Sequence, residues 1–302
     1  MVHSTQIGLQ LFLPSSKELE MKSCPPLPYL DAHSHVHLGL EHRPPVPPSA
    51  LLEHCDQIRG LALMSTHPRD YSVVVDTLKD YSSSCPEWLV VPCFGIHPWF
   101  LHQVDNQQWK DELEGYLKAY PNAIVGEVGL DGHRYHPDTR ELASPMDQQV
   151  QFLHDQLVLA HVYDRPVSLH AVQCWQPLMT TLSKLRDKRQ LPPKLYFHAF
   201  GGKVGLVDQI LALLKSIDVY FGFAPVINFR SPDKTAQVIR RVGLSRIVLE
   251  SDHEDATLVM ESLVQGAEFI AKVLEVPVES VVQTTFLNSQ RLYNLGDPNK
   301  SS

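Results

Sequence analysis

Eight short apolar runs, each followed by a segment of helical periodicity, recur along this chain. The runs are PYLDAHSHVH (28–37), GLALMST (60–66), VVPCFGIH (90–97), NAIVGEVGLD (122–131), RPVSLHAV (165–172), KLYFHAF (194–200), DVYFGFAP (218–225) and RIVLESDH (246–253). Between them apolar residues return every three or four positions, as at Val150, Leu153, Leu157 and Ala160, or at Leu206, Ile210, Leu213, Leu214 and Ile217. That spacing lines one face of a helix. Strands alternating with helices make an α/β chain, and eight such units in about 265 residues match a single-domain (β/α)8 TIM barrel. A doubly wound open sheet is the alternative. The barrel is expected over residues 28–295, with a last helical stretch near 257–292, an N-terminal extension at 1–27 and a tail at 296–302. Pro25, Pro26 and Pro28 on one side, and Pro44, Pro45, Pro47 and Pro48 on the other, bracket the first strand as rigid loops.

A domain of 302 residues buries enough surface, about 75% of what its unfolded chain exposes, to fold without staples. Apolar residues at 43% and charged residues at 20% exclude disorder, collagen-like repeats and a coiled coil. No stretch approaches the roughly 18 apolar residues of a membrane helix, so no membrane association is expected. The start MVHSTQIGLQLFLP lacks a basic region and a small-residue cleavage site, which argues against a secretory signal. Five cysteines with no CxxC pair suit a reduced compartment, cytoplasmic or nuclear, and argue against a zinc–thiolate site. The net charge of −8 speaks against a broad basic face for nucleic acid. It leaves room for a phosphodiester-cleaving enzyme whose bound divalent ions reverse the local charge.

The chain holds 16 histidines, and in a barrel enzyme the chemistry sits at the C-terminal ends of the strands. His33, His35, His37, His67, His97, His133, His170, His198 and His253 all fall on or just after the ends of the eight runs. Any one of them could be an ordinary loop histidine; the set is harder to dismiss.

Side chains two apart on a strand point the same way, about 6.6 Å apart. His33 and His35 in DAHSH can therefore reach one metal ion, although a lone HxH is common by chance. His37 shares their parity but lies further up, where it would orient a ligand or face substrate. Glu127 stands in the otherwise apolar AIVGEVGLD, and burying a carboxylate there demands a cation or a salt bridge, with Arg165 as the plain structural partner. His170 and His198 sit in buried-strand contexts and would each pass alone for a hydrogen-bonded core histidine. Asp252 closes IVLESD, where the bland role is a helix cap; Glu250 has its parity but lies deeper, as a structural residue. Four imidazoles and two carboxylates suit one or two divalent ions, Mg, Mn or Zn. Two ions roughly 3.5–4 Å apart, bridged by Glu127, would clamp a phosphoryl oxygen, with Asp252 orienting or deprotonating the attacking water.

The motifs DAHSH (31–35), FGIHP (94–98), GEVGLD (126–131), RPVSLH (165–170), FHAFGG (197–202), VYFGF (219–223) and LESD (249–252) together resemble the TatD family of metal-dependent deoxyribonucleases, within the amidohydrolase-like barrels. SLHAVQ with VYFGFAPVIN is similar to a fungal branch of that family. The resemblance covers about residues 28–292. It implies a TIM barrel that binds two divalent ions and hydrolyses phosphodiesters, typically DNA as an exonuclease, with His33, His35, Glu127, His170, His198 and Asp252 as metal ligands. This sequence departs from the family pattern in two places. Val172 stands where an Arg often follows the strand-five His, and His253, Glu254 and Asp255 replace a small residue and Pro. Arg134, His133 and Lys203 are then candidates for the missing phosphate contact, and each is also readable as a solvated loop residue. His97 is expected beside substrate or behind a ligand, and Trp99 either packs or stacks on a base. Two other readings stay open. One is an amidohydrolase acting on a small molecule; such relatives commonly bridge their metals with a carboxylated lysine where Glu127 stands here. The other is a catalytically weakened barrel that serves as a protein-interaction partner.

Overall fold

The computed structural model describes residues 27–38, 51, 57–104, 108–135 and 142–296. The expected N-terminal extension (Leu27 apart), the prolines at 44–48 and the tail beyond residue 296 lie outside the described residues. Eight strands stand in the order of the chain: β1 Tyr29–Ser34, β2 Ile58–Met64, β3 Leu89–Phe94, β4 Ile124–Asp131, β5 Val167–Val172, β6 Lys194–Phe197, β7 Asp218–Gly222 and β8 Ile247–Val248. Every neighbouring pair is parallel. The ring closes between β1 and the chain after β8, where Ala32 N donates to Leu249 O at 2.8 Å and Asp252 N to His33 O at 2.9 Å. The TIM barrel is therefore the fold, and the open sheet is excluded.

The helices α1 Tyr71–Ser84, α2 Trp109–Ala119, α3 Met146–Val162, α4 Trp175–Asp187, α5 Val204–Leu213, α6 Pro225–Asn228, α7 Pro232–Val242, α8 Ala256–Leu274 and α9 Val278–Tyr293 lie between and after the strands. Their apolar faces pack on the outside of the barrel, so the strands are covered on both sides and read as near-continuous apolar runs; all eight residues of β4 are buried. Inside the barrel, Leu30, Ala62, Val91, Ile124, Tyr220 and Val248 form a second apolar cluster with Leu292 and Tyr293 of α9. Tyr293 Oη donates to Ala32 O at 2.5 Å. This floor fills the lower half of the barrel and leaves the polar strand ends to line the other half.

The expected stretch 257–292 divides into α8 and α9 because Glu275 takes a left-handed conformation and Pro277 cannot continue a helix. Leu214 and Ile217, read as helical, lie past the end of α5. A short β6 places His198 one residue beyond the strand. Among the described residues no helix is long and apolar enough to cross a membrane.

Candidate metal centre

The residues that close β1 are tied to the chain after β8. Asp31 is fully buried and accepts His33 N at 3.1 Å, Ser251 N at 2.9 Å and Ser251 Oγ at 2.5 Å. Next to Ser251, Asp252 has a positive φ of 59°, a turn conformation that swings its carboxylate over the end of β1. Glycine allows the other close approach: a Cβ on Gly129 would stand 2.0 Å from His170 O. Without that side chain β4 and β5 pair tightly and bring Glu127 beside His170.

Four donor atoms come together there. His33 Nε2 is 3.2 Å from His35 Nε2; Glu127 Oε2 is 3.4 Å and 3.3 Å from them; Asp252 Oδ1 is 3.7 Å from both. Spacings of that size are what bonds of about 2.1 Å to one central divalent cation produce. The other oxygen of Glu127, Oε1, faces a second group, with His198 Nε2 at 2.7 Å and His170 Nδ1 at 2.9 Å; these two nitrogens are 3.3 Å apart. The donor set fits one or two borderline-hard ions, with Glu127 shared between the groups.

The far nitrogens of the imidazoles decide which lone pairs are offered. His35 Nδ1–H donates to Met64 O at 2.8 Å, leaving Nε2 free. His33 Nδ1 lies 3.2 Å from Ser168 Oγ. His170 Nε2 lies 3.1 Å from Asp131 Oδ2. Among the described residues His198 Nδ1, which is buried, has no hydrogen-bond partner; Glu250 Oε2 lies 4.0 Å from it. His97 is different. It stands 3.5 Å from Glu127 Oε1 through Nε2 and close enough to Glu127 and His170 to be grouped with them. Its Nδ1, however, accepts Trp99 N–H at 3.2 Å, so the proton of the neutral ring sits on Nε2. His97 thus meets the centre as a hydrogen-bond donor.

Charges follow the same geometry. Burial opposes ionisation of Glu127, but the surrounding histidines His198, His97 and His33 and the hydrogen bond from His170 overcome it and hold the carboxyl well below its usual range. Burial likewise opposes protonation of His35, yet the hydrogen bond and charge of Glu127 and the charge of Asp252 raise it to about 9. His170, against the same penalty, is raised to about 9 by Asp131 and Glu127. His33 falls well below its ordinary value through burial and the neighbouring His198, and burial takes His97 down to about 4. Burial raises Asp252.

The centre opens into a cavity of about 410 Å³ lined by His35, His97, Glu127, His170, His198 and Asp252, with Trp99, Phe100, Val172 and Ile227 on its apolar walls and Glu254 at its edge. Five of the six expected ligand residues line it, and the sixth, His33, is fully buried beneath them. His133 lines it as well, while Arg134 caps the wall, its guanidinium 4.7 Å over the Trp99 ring. Lys203 does not join them; it is exposed at the start of α5. Nor does His37 line the cavity. The chain turns over 36–38, parity with His33 and His35 ends there, and His37 is buried with Nε2 3.9 Å from Asp70 Oδ2 and its ring 6.3 Å from that of His35. Glu127 does not pair with Arg165, which donates to Leu117 O instead. The cap expected of Asp252 is made by Asp255, which accepts Thr257 N at 2.9 Å. Glu250 is fully buried against Tyr196 Oη and accepts Ala199 N at 2.7 Å. Sequence reasoning missed Asp131, although it shares strand parity with Glu127, four residues away on β4.

Comparison with known proteins agrees with this geometry. The family described as "TatD related DNase" matches residues 30–294. The Cut9-interacting protein scn1 of Schizosaccharomyces pombe is 24% identical, covering 76% of this chain and 90% of that protein. Human deoxyribonuclease TATDN3 is 25% identical over 78% of this chain and 83% of its own. The crystal structure of YjjV, a TatD homologue of Escherichia coli, superposes with a TM-score of 0.70 at 22% identity, over 88% of this chain and 98% of that one.

Proposed function

The chain belongs to the TatD-related DNase family, and from that premise we propose that it is a divalent-metal-dependent deoxyribonuclease with His33, His35, Glu127, His170, His198 and Asp252 as ligands of two ions. The observation that carries the reading is the division of Glu127, one oxygen toward His33 and His35 and the other toward His170 and His198. Bound Mg, Mn or Zn would polarise the phosphoryl oxygen and lower the pKa of the attacking water.

The chain's own residues do the rest. The hydrogen bond from His35 to Met64 O and the contact of His170 with Asp131 fix which nitrogens face the centre. Asp252 is held over the His33–His35 pair through Oδ1 and raised by burial; the carboxylate oxygen not given to a cation would accept the proton of the water as its oxygen bonds to phosphorus, and would return it to the leaving ester oxygen as the P–O bond breaks. Trp99 and Phe100 form a wall suited to a base, and Arg134 is the cation nearest that wall for a neighbouring phosphate. Burial of the cluster excludes bulk water and strengthens each of these interactions. The free, buried thiols of Cys93 and Cys174 support a reduced setting, and we propose the cytoplasm or nucleus for the activity.

A second reading, docking to a protein partner, draws support from the relative named as Cut9-interacting and from the exposed Val226 and Ile227 beside the cavity. The experiment for the first reading measures metal content and cleavage of single- and double-stranded DNA, with and without Mg or Mn. Activity should require metal and vanish in Glu127→Ala and Asp252→Ala. A protein that holds no metal, with both variants matching wild type, ends the catalytic reading.

A further inference from the structure

His170 lies between two carboxylates. Its Nδ1 is 2.9 Å from Glu127 Oε1 and its Nε2 is 3.1 Å from Asp131 Oδ2. Asp131 meets the centre at the far nitrogen of His170, and its oxygens carry further bonds. Oδ2 also accepts Trp99 Nε1–H at 2.7 Å, and Oδ1 accepts the backbone N–H of His133 at 2.7 Å and of Arg134 at 3.0 Å. Its own backbone is pinned by Gln149, which accepts Asp131 N at 2.7 Å and donates to Asp131 O at 3.0 Å. So many donors define the carboxylate as an acceptor. A neutral imidazole carries one ring proton, and an acceptor beside Nε2 holds the proton there.

We propose that Asp131 is a positioning residue that selects the Nε2–H tautomer of His170 and so makes Nδ1 the atom offered to a divalent cation on the Glu127–His198 side. The inference rests on the two-cation reading above. Asp131 acts through His170 and touches no reacting atom. It also links the ligand to the mouth of the cavity, because the same carboxylate is held by Trp99, under the Arg134 guanidinium, and by the loop at 132–134.

The test uses Asp131→Asn. The loop amides at His133 and Arg134 need an oxygen, so the new NH₂ group turns toward Trp99 and His170. Facing a donor, His170 moves its proton to Nδ1 and loses the lone pair aimed at the cation. Metal-stripped protein is titrated with zinc against a chromophoric chelator. Wild type should take up two ions. Asp131→Asn should bind the first with unchanged affinity and the second about 10–100-fold more weakly. Trp99→Phe removes one donor to Asp131 while leaving the Asp131–His170 contact in place, and should weaken the second ion by less. Long-range ¹H–¹⁵N spectra of zinc-loaded wild type should show the His170 proton on Nε2, a readout that needs no variant to fold. Two ions bound by Asp131→Asn at wild-type affinity, or a wild-type His170 protonated at Nδ1, overturns the assignment. Nuclease assays separate the two readings: a protein that binds two ions with this tautomer yet cleaves no DNA keeps the role of Asp131 and loses the nuclease. Wild type that binds no zinc overturns both.

Discussion

Glu127 Oε1 stands 2.7 Å from His198 Nε2, while the second oxygen of the same carboxylate is turned the opposite way, to the end of β1. A single side chain therefore belongs to two histidine groups at once. Replacing it by Gln substitutes an NH₂ for one oxygen and sets a donor against one group. Glu127→Gln should lower zinc affinity at both positions and cut nuclease activity by more than ~100-fold, beyond what outer partners of a ligand cost. Zinc titration beside an activity assay checks it; two ions held at wild-type affinity would remove Glu127 from the centre.

Metal uptake should release protons. His35 and His170, each raised to about 9, carry protons at neutral pH in the metal-free protein, and a ligating nitrogen must lose its proton. Affinity should therefore fall as pH drops from about 9 toward 6, with acid released into a weakly buffered indicator solution at pH 7. His97, lowered to about 4, contributes no proton there. An affinity that does not change across that range would contradict the arrangement.

Asp252 separates ligation from proton transfer. Asp252→Asn keeps an oxygen for the His33–His35 side but removes the basic group. We expect kcat to fall by about 10²–10⁴-fold, with the ion on the His170–His198 side bound as in wild type. Metal content and kcat measured on the same preparation test this, and a variant with full turnover would reassign the base.

Asp31 is a stability residue beneath the centre. Asp31→Ala strands His33 N, Ser251 N and Ser251 Oγ, all buried, at about 1–3 kcal/mol for each donor left unpaired. Urea unfolding of the metal-free protein should show a loss of about 3 kcal/mol or more; a loss below about 1 kcal/mol would mean the loop after β8 is held by other contacts.

Val172 lines the cavity where the family pattern often carries Arg. Val172→Arg adds one cation near the mouth and should tighten DNA binding at low salt. The plot of log affinity against log salt should steepen by about one counterion. An unchanged slope would place residue 172 away from the phosphate path.

The eight strand-and-helix units and the alternation of DAHSH were legible in the chain because periodicity records which face of an element is buried, and burial in a barrel is regular. His33 and His35 follow from that alone. The same parity with Glu127 pointed to Asp131, which the reading of the sequence missed. His37 keeps the parity in sequence only: the chain turns over 36–38, which sets its ring behind His35 and beside Asp70 rather than in the cavity. Lys203 misled because a residue near a strand end can still point to solvent once a helix begins.

The sequence by itself determined the fold class and the inventory of imidazoles and carboxylates at the strand ends, since each depends on local pattern and on residue type. Only the tertiary structure decided their roles. Which ring nitrogen of His97, His35 and His170 faces the centre, and what group stands behind it, depends on Trp99 N, Met64 O and Asp131. Those partners are brought close by ring closure, and the tautomer of a histidine is set by whatever group the fold places behind it.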